Sequence, residues 1–287
     1  MYDLLVAEPV LLIVVATVLG LLVGSFLNVV IHRLPVMMQR DWREQCAWIE
    51  GAAAEASEPY NLVVPRSACP ACRHPIAWYE NIPVLSWLVL QGRCSECGAP
   101  ISKRYPLVEM LTAGLFGYAA WQWGAGIQTL LVWGLLASLL ALAFIDLDTQ
   151  LLPDGITLPL AWAGLLVNVN GVFCPLDQAV IGAVAGYLAL WSIYHLFKLL
   201  TGKEGMGFGD FKLLAALGAW LGWKMLLPIV LAASFSGALI GIALIVFAGH
   251  DRAKPMPFGP WLALGGVIAL FWGKDILYFW LGIPGIV

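Results

Sequence analysis

Long apolar runs, separated by short polar connections, make up most of the chain. A run of about 20 apolar residues is long enough to cross a bilayer as a helix. We therefore predict an all-α polytopic membrane protein with about eight transmembrane helices. The predicted spans are residues 10–31, 106–123, 127–145, 156–173, 179–197, 211–223, 225–248 and 257–280. The sixth is short and rich in glycine, so a tilted or broken helix is expected there.

The composition agrees with a membrane protein. Hydrophobic residues make up 61% of the chain and charged residues 11%, which is about half the charged fraction of a soluble domain. The lipid bilayer is thus a predicted partner. Basic residues interleaved with aromatic ones do not form a patch, so nucleic acid is not a predicted partner. Asp3 and Glu8 precede the first run, where a cleavable signal would carry positive charge, and we expect that run to be retained as a helix.

One polar insertion interrupts the pattern and defines the predicted domains. The first transmembrane helix occupies residues 1–31, a loop domain residues 32–105, and a membrane-embedded core residues 106–287.

The basic residues orient the predicted bundle. Placing the insertion in the cytoplasm puts 13 of the 15 lysines and arginines on that side, as the positive-inside rule requires. They are Arg33, Arg40, Arg43, Arg66, Arg73, Arg93, Lys103, Arg104, Lys198, Lys203, Lys212, Arg252 and Lys254. With eight spans, both termini would lie outside.

Two CxxC pairs stand in the insertion. Their cysteines are Cys69, Cys72, Cys94 and Cys97. Two such pairs at this separation are typical of a zinc site, in which four thiolates form a closed, structural tetrahedron. Redox chemistry and disulfides are the alternatives, although a reducing cytoplasm disfavours disulfides. Cys46 and Cys174 have no such partner and are interpreted as packing residues.

Four carboxylates at the ends of apolar runs are candidates for catalysis. They are Asp146, Asp148, Asp154 and Asp210. In the predicted topology they lie on one side of the membrane, where two of them could share a proton and activate water against a peptide bond. The alternative is that some are ordinary loop carboxylates. This alternative is favoured for Asp148 and for Asp154, which suits a helix N-cap, and it is weakest for Asp210, which follows a flexible glycine run.

Several motifs together resemble the type IV prepilin peptidases, the leader peptidase/N-methyltransferases of pilus and type II secretion systems. The similarity covers nearly the whole chain. It includes residues 24–35, the paired CxxC motifs, residues 103–109, residues 146–154, residues 203–212 with their Gly-Met-Gly-Phe-Gly-Asp, and Pro257-Phe258-Gly259-Pro260.

The resemblance implies a GxGD-type aspartyl protease of the bacterial inner membrane with its active site facing the cytoplasm. The second catalytic acid would be Asp210. The first would lie eight residues before Asp154, which gives Asp146, with Asp148 as the main competitor. Such enzymes cut the leader from prepilins and pseudopilins and then methylate the new N-terminus with S-adenosylmethionine. Both activities are expected here, with zinc as a structural metal.

Two other kinds of function stay open from the residues. A non-enzymatic membrane assembly scaffold could use a structural zinc loop to bind a partner, and its carboxylates would then be loop groups. A transporter with a carboxylate proton relay fits less well, because acids would be expected within several spans.

Overall fold

The computed structural model describes residues 8–51, 58–248 and 256–281. Within them the chain is almost entirely helical, and only two isolated antiparallel bridges occur. The α-helices in chain order are α1 (Pro9–Ile49), α2 (Leu85–Val89), α3 (Arg104–Trp123), α4 (Ile127–Thr149), α5 (Asp154–Asn168), α6 (Leu176–Thr201), α7 (Phe208–Leu221), α8 (Leu226–Ala248) and α9 (Gly259–Leu281). Two short 3₁₀ helices occupy Trp78–Asn81 and Trp223–Met225.

Each predicted apolar run overlaps one α-helix of at least 14 residues, which confirms the all-helical class. The largest difference is α1, which was expected to end near residue 31 and continues to Ile49. Residues 36–49 contain two each of Met, Gln and Arg, together with one Glu and one Ala. These residues favour helix as strongly as apolar ones do, so a change in polarity does not end the helix.

In the part of the chain that the structure describes, five helical segments are long and apolar enough to cross a membrane. They lie at Pro9–Ile49, Ile127–Thr149, Leu176–Thr201, Trp223–Phe247 and Gly259–Phe279. Helices α5 and α7 contain 15 and 14 residues, or about 22 Å, which is shorter than a hydrocarbon core of about 30 Å. The count of eight spans therefore stays a prediction. Arg252 and Lys254, which entered the orientation argument, lie outside the described residues, as does Asp3, which entered the argument against a cleavable signal.

The chain divides into two compact units, Met1–Ala141 and Leu142–Val287. In the first unit α1 packs along α3 through a small-residue stripe. A Cβ atom on Gly20 would lie 2.6 Å from Cα of Ala113, and one on Gly24 would lie 2.7 Å from Cα of Glu109. Glycines four residues apart allow this close backbone approach between membrane helices. The stripe fixes the register of α3 against α1.

The second unit is built around α7, which packs against α5, α6 and α9. Phe211, Leu214 and Leu217 are completely buried on it. Asn168, at the end of α5, donates its amide to the carbonyls of Ala219 and Trp220 at 2.9 and 3.0 Å. The core of this unit thus holds α7, whose third residue is the candidate acid Asp210.

Candidate active site and metal centre

Asp146 and Asp210 are both buried in the second unit. Asp146 lies near the carboxyl end of α4 and is 5% exposed, whereas Asp210 is the third residue of α7 and is 6% exposed. A buried carboxylate is costly unless hydrogen bonds or a shared proton compensate the lost hydration. The surroundings of each acid therefore show what chemistry it is suited to.

A backbone amide holds the Asp146 carboxylate. The N–H of Gly259 donates to its Oδ2 at 2.9 Å. Gly259 is also the first residue of α9, so the positive end of that helix dipole faces the acid and favours its ionised form. A Cβ atom on Gly259 would lie 2.6 Å from the same oxygen. Only glycine therefore permits this approach without a shift.

Asp210 is less completely satisfied. The backbone N–H of Gly207, just before α7, stabilises the charged form of its carboxylate. Its Oδ1 is buried and has no hydrogen-bond partner among the described residues. A buried oxygen without a partner carries a large desolvation penalty, which a proton, a water molecule or a substrate group would relieve.

Leu152 packs against the starts of both α7 and α9. A Cβ atom on Gly209 would lie 2.7 Å from Cβ of Leu152, and one on Gly259 would lie 3.2 Å from Cδ1 of the same leucine. The charge of Asp146 also acts on Asp210 through space. The end of α4 and the starts of α7 and α9 therefore converge on one small region that contains both carboxylates.

This region has the parts that general acid–base hydrolysis needs. One carboxylate is oriented and stabilised as an anion by a fixed N–H donor, and the other has an unsatisfied oxygen. Two interacting carboxyl groups lose their protons as a pair, so one can accept a proton while the other donates one.

The other two candidate acids lie at the surface. Asp148 is exposed on α4. Asp154 begins α5 and accepts two hydrogen bonds from Nζ of Lys212, at 2.7 and 2.8 Å. This ion pair joins the starts of α5 and α7, which is a structural role. Neither acid is buried as Asp146 and Asp210 are.

The four predicted cysteine ligands come together in the first unit. All four Sγ atoms lie within 4.8 Å of one another. The Cys69–Cys97 and Cys72–Cys94 Sγ pairs are 3.8 and 3.9 Å apart. A tetrahedral zinc ion with Zn–S bonds of about 2.3 Å separates its sulfurs by about 3.8 Å. The cluster could therefore hold a metal ion, and its donor set suits zinc.

The two cysteine loops have the same pattern of backbone hydrogen bonds and φ angles. The N–H of Cys69 donates to the carbonyl of His74 at 2.9 Å, and that of Cys94 to the carbonyl of Ala99 at 2.8 Å. Four residues after the first cysteine of each pair, Arg73 and Gly98 adopt positive φ values of 60° and 70°. Backbone N–H groups of Cys72 and Ala71 lower the pKa of the Cys69 thiol to about 6. The loops therefore present their sulfur atoms toward a common centre.

Glu80 connects the two loops. Its carboxylate accepts hydrogen bonds from the Ser95 hydroxyl and, at 2.8 Å, from the N–H of Ala77, and it lies 3.4 Å from Nε2 of His74. The Ser95 hydrogen bond, with that from Ala77, lowers the pKa of Glu80. Ser95 belongs to the second cysteine loop and His74 ends the first, so the Glu80 side chain contacts both loops. Nε2 of His74 is thus engaged by Glu80.

Sequence reasoning assigned no role to Gly259, Glu80 or Glu109. Pro257-Phe258-Gly259-Pro260 was noted only as a family motif, because a backbone donor has no signature in side-chain chemistry. Glu80 is one of several acids in a polar insertion. Glu109 did carry a signal, since it is a lone acid within a predicted span. It is 7% exposed, and its Oε2 accepts the N–H of Val84 at 2.7 Å.

Two family descriptions match the chain. Residues 18–123 match the bacterial peptidase A24 N-terminal domain, and residues 133–242 match the type IV leader peptidase family. No solved structure matches the chain significantly.

Similar proteins span almost the full length. A prepilin leader peptidase/N-methyltransferase of Stutzerimonas stutzeri is 54% identical over 279 residues, covering 96% of this chain and 95% of that protein. Proteins of the same name from Aeromonas hydrophila and Pseudomonas aeruginosa are 57% and 52% identical. The first alignment covers 91% of both chains, and the second covers 99% of this chain and 98% of its relative. The chain therefore belongs to the type IV leader peptidase family, as its motifs predict.

Proposed function

We propose that this protein removes the leader peptide from type IV prepilins and type II secretion pseudopilins and then methylates the new N-terminal residue. The relatives that cover nearly the whole chain are named for both activities. The methyl donor would be S-adenosylmethionine. The protein would be a multi-pass protein of the bacterial inner membrane, with its active site facing the cytoplasm and the three predicted domains at 1–31, 32–105 and 106–287.

The buried pair of Asp146 and Asp210 is the observation that carries the peptidase proposal. Asp146, held by the Gly259 N–H, would accept a proton from water as the resulting hydroxide attacks the scissile carbonyl carbon. The unsatisfied Oδ1 of Asp210 would carry the proton that the leaving amine receives. Fixed donors at the starts of two helices stabilise the charges that move during these steps.

The cysteine cluster would hold one structural zinc ion. Cys69, Cys72, Cys94 and Cys97 would be its ligands. A closed site with four thiolates leaves no open position for substrate. The ion would therefore supply folding energy to the insertion and no step of either reaction.

Intact-mass measurement of a prepilin after incubation with the purified protein and S-adenosylmethionine tests the proposed function. We expect a product that has lost its leader and gained one methyl group. Omission of the methyl donor should leave cleavage intact and remove only the methyl increment. An unchanged prepilin, with protein that is folded and reconstituted in lipid, would favour the assembly scaffold instead.

A further inference from the structure

The polar insertion contains an exposed apolar segment, residues 78–89. It comprises the 3₁₀ helix Trp78–Asn81, a short connection and α2. Its large side chains are exposed to an unusual degree, with Trp78 at 80%, Leu88 at 59% and Val89 at 72%. Tyr79 and Leu85 are also more than half exposed. Contiguous apolar surface of this kind marks a site of interaction with a protein or a membrane.

One hydrogen bond fixes the position of this segment along the packed helices α1 and α3. The N–H of Val84, in the middle of the segment, donates to Oε2 of Glu109 at 2.7 Å. Glu109 lies opposite Gly24 of α1. The amide of Asn28, one turn later on α1, donates to the carbonyl of Tyr105 at 3.1 Å. These pairs give the register of α1 against α3, and hence the position of Val84 along the two helices.

Val84 lies on the apolar side of the residues at which α1 and α3 become polar. Gly24 precedes His32 by eight residues, or about 12 Å at 1.5 Å per residue. Glu109 follows Arg104, the first residue of α3, by five residues, or about 7 Å. Val84 is therefore held on the apolar side of the boundary that His32 and Arg104 mark.

A buried acid at this position has a physical explanation. A backbone N–H that enters the apolar layer outside a helix must find an acceptor within the protein. Glu109 supplies that acceptor for Val84, next to α2. A segment that enters the membrane surface would require such an acceptor at this position.

We propose that residues 78–89 form an interfacial segment that lies in the headgroup and upper acyl region of the adjacent leaflet. Its partner is the lipid surface.

The exposed apolar side chains of α3, such as Leu107 and Met110, continue the same surface into the bilayer. Trp78 and Tyr79 are residue types enriched at this level of a membrane. Lys103 and Arg104, at the start of α3, suit anionic headgroups. The cysteine loops of the insertion are therefore in water, whereas residues 78–89 contact lipid.

Site-specific photocrosslinking in proteoliposomes tests this inference. A benzoylphenylalanine residue is introduced in place of Leu88, of Leu107 as the lipid-facing reference, or of Glu96 in the second cysteine loop as the aqueous reference. After irradiation, mass spectrometry of the peptides reports lipid adducts. We expect the Leu88 position to give an adduct yield within about twofold of that at Leu107 and at least tenfold above that at Glu96.

A Leu88 yield as low as that at Glu96 would overturn the proposal, and so would crosslinks at Leu88 to a second copy of the chain. Retained prepilin cleavage by each labelled protein shows that it is folded. A second set of variants avoids the bulky label. Leu88→Ser and Leu85→Ser should increase proteolysis within residues 78–89 in lipid vesicles, whereas Leu62→Ser, elsewhere in the insertion, should not.

Discussion

At the scale of single residues, the account depends on how the two buried acids differ. Asp146 receives a fixed N–H from Gly259, whereas Oδ1 of Asp210 has no partner within the described residues. The positions of carboxylates at the ends of apolar runs made Asp146, Asp148, Asp154 and Asp210 candidates, and the family resemblance selected Asp146 and Asp210. The sequence could not predict the donor, since a backbone amide looks the same at every residue. Only the fold brings the start of α9 to the end of α4.

The Gly259→Ala variant tests this arrangement. The added Cβ would lie 2.6 Å from Oδ2 of Asp146, so either the carboxylate or the loop must move. A displacement near 1 Å at a reacting group lowers rates by about 100-fold. We expect kcat for prepilin cleavage to fall about 10- to 100-fold with little change in KM.

Gly134→Ala is the matched control for that variant, because Gly134 lies on α4 with open space around its Cβ position. It should cleave at the wild-type rate. Wild-type kcat in the Gly259→Ala protein would show that the N–H contact does not position Asp146.

At the scale of elements, the cysteine loops are better determined by sequence than the segment that joins them. The CxxC spacing alone predicted a four-thiolate cluster, and the structure places all four Sγ atoms within 4.8 Å. The hydrogen bonds by which Glu80 connects the two loops were not predictable. They join Ala77 and Ser95, which are 18 positions apart, and such a pairing depends on how the intervening chain folds. The extension of α1 to Ile49 was missed because helix propensity does not follow polarity.

Glu80→Gln should weaken metal retention by the cluster. An amide oxygen is a poorer acceptor than a carboxylate for the hydrogen bonds from Ser95 and Ala77, and partners beyond the ligands typically contribute about 10- to 100-fold in metal affinity. Metal content per chain, measured after dialysis against graded chelator, should fall at a lower chelator concentration than in the wild type.

Glu96→Gln is the control for Glu80→Gln, because Glu96 is exposed within the second loop. Its metal content should follow the wild-type curve. Identical curves for all three proteins would mean that Glu80 does not support the cluster.

At the scale of the whole molecule, composition and periodicity predicted the class and the motifs predicted the family. The number of spans depends on more than the length of each apolar run. Helices α5 and α7 are too short to cross a bilayer unaided, yet residues of α7 such as Phe211 and Leu214 are completely buried. A helix surrounded by protein needs neither the length nor the lipid-facing surface of an isolated span. Hydropathy cannot separate these two cases, because both produce an apolar run.

The central claim is that Asp146 and Asp210 together activate water for leader cleavage. The most direct measurement is the cleavage rate of one prepilin by Asp146→Asn, Asp210→Asn and Asp148→Asn proteins of matched thermal stability in lipid. The account predicts that the first two lose at least 1000-fold in rate, because an amide can neither accept nor supply the proton. It also predicts that the Asp148→Asn protein cleaves within a fewfold of wild type. Normal cleavage by the Asp146→Asn protein together with loss in the Asp148→Asn protein would contradict the account.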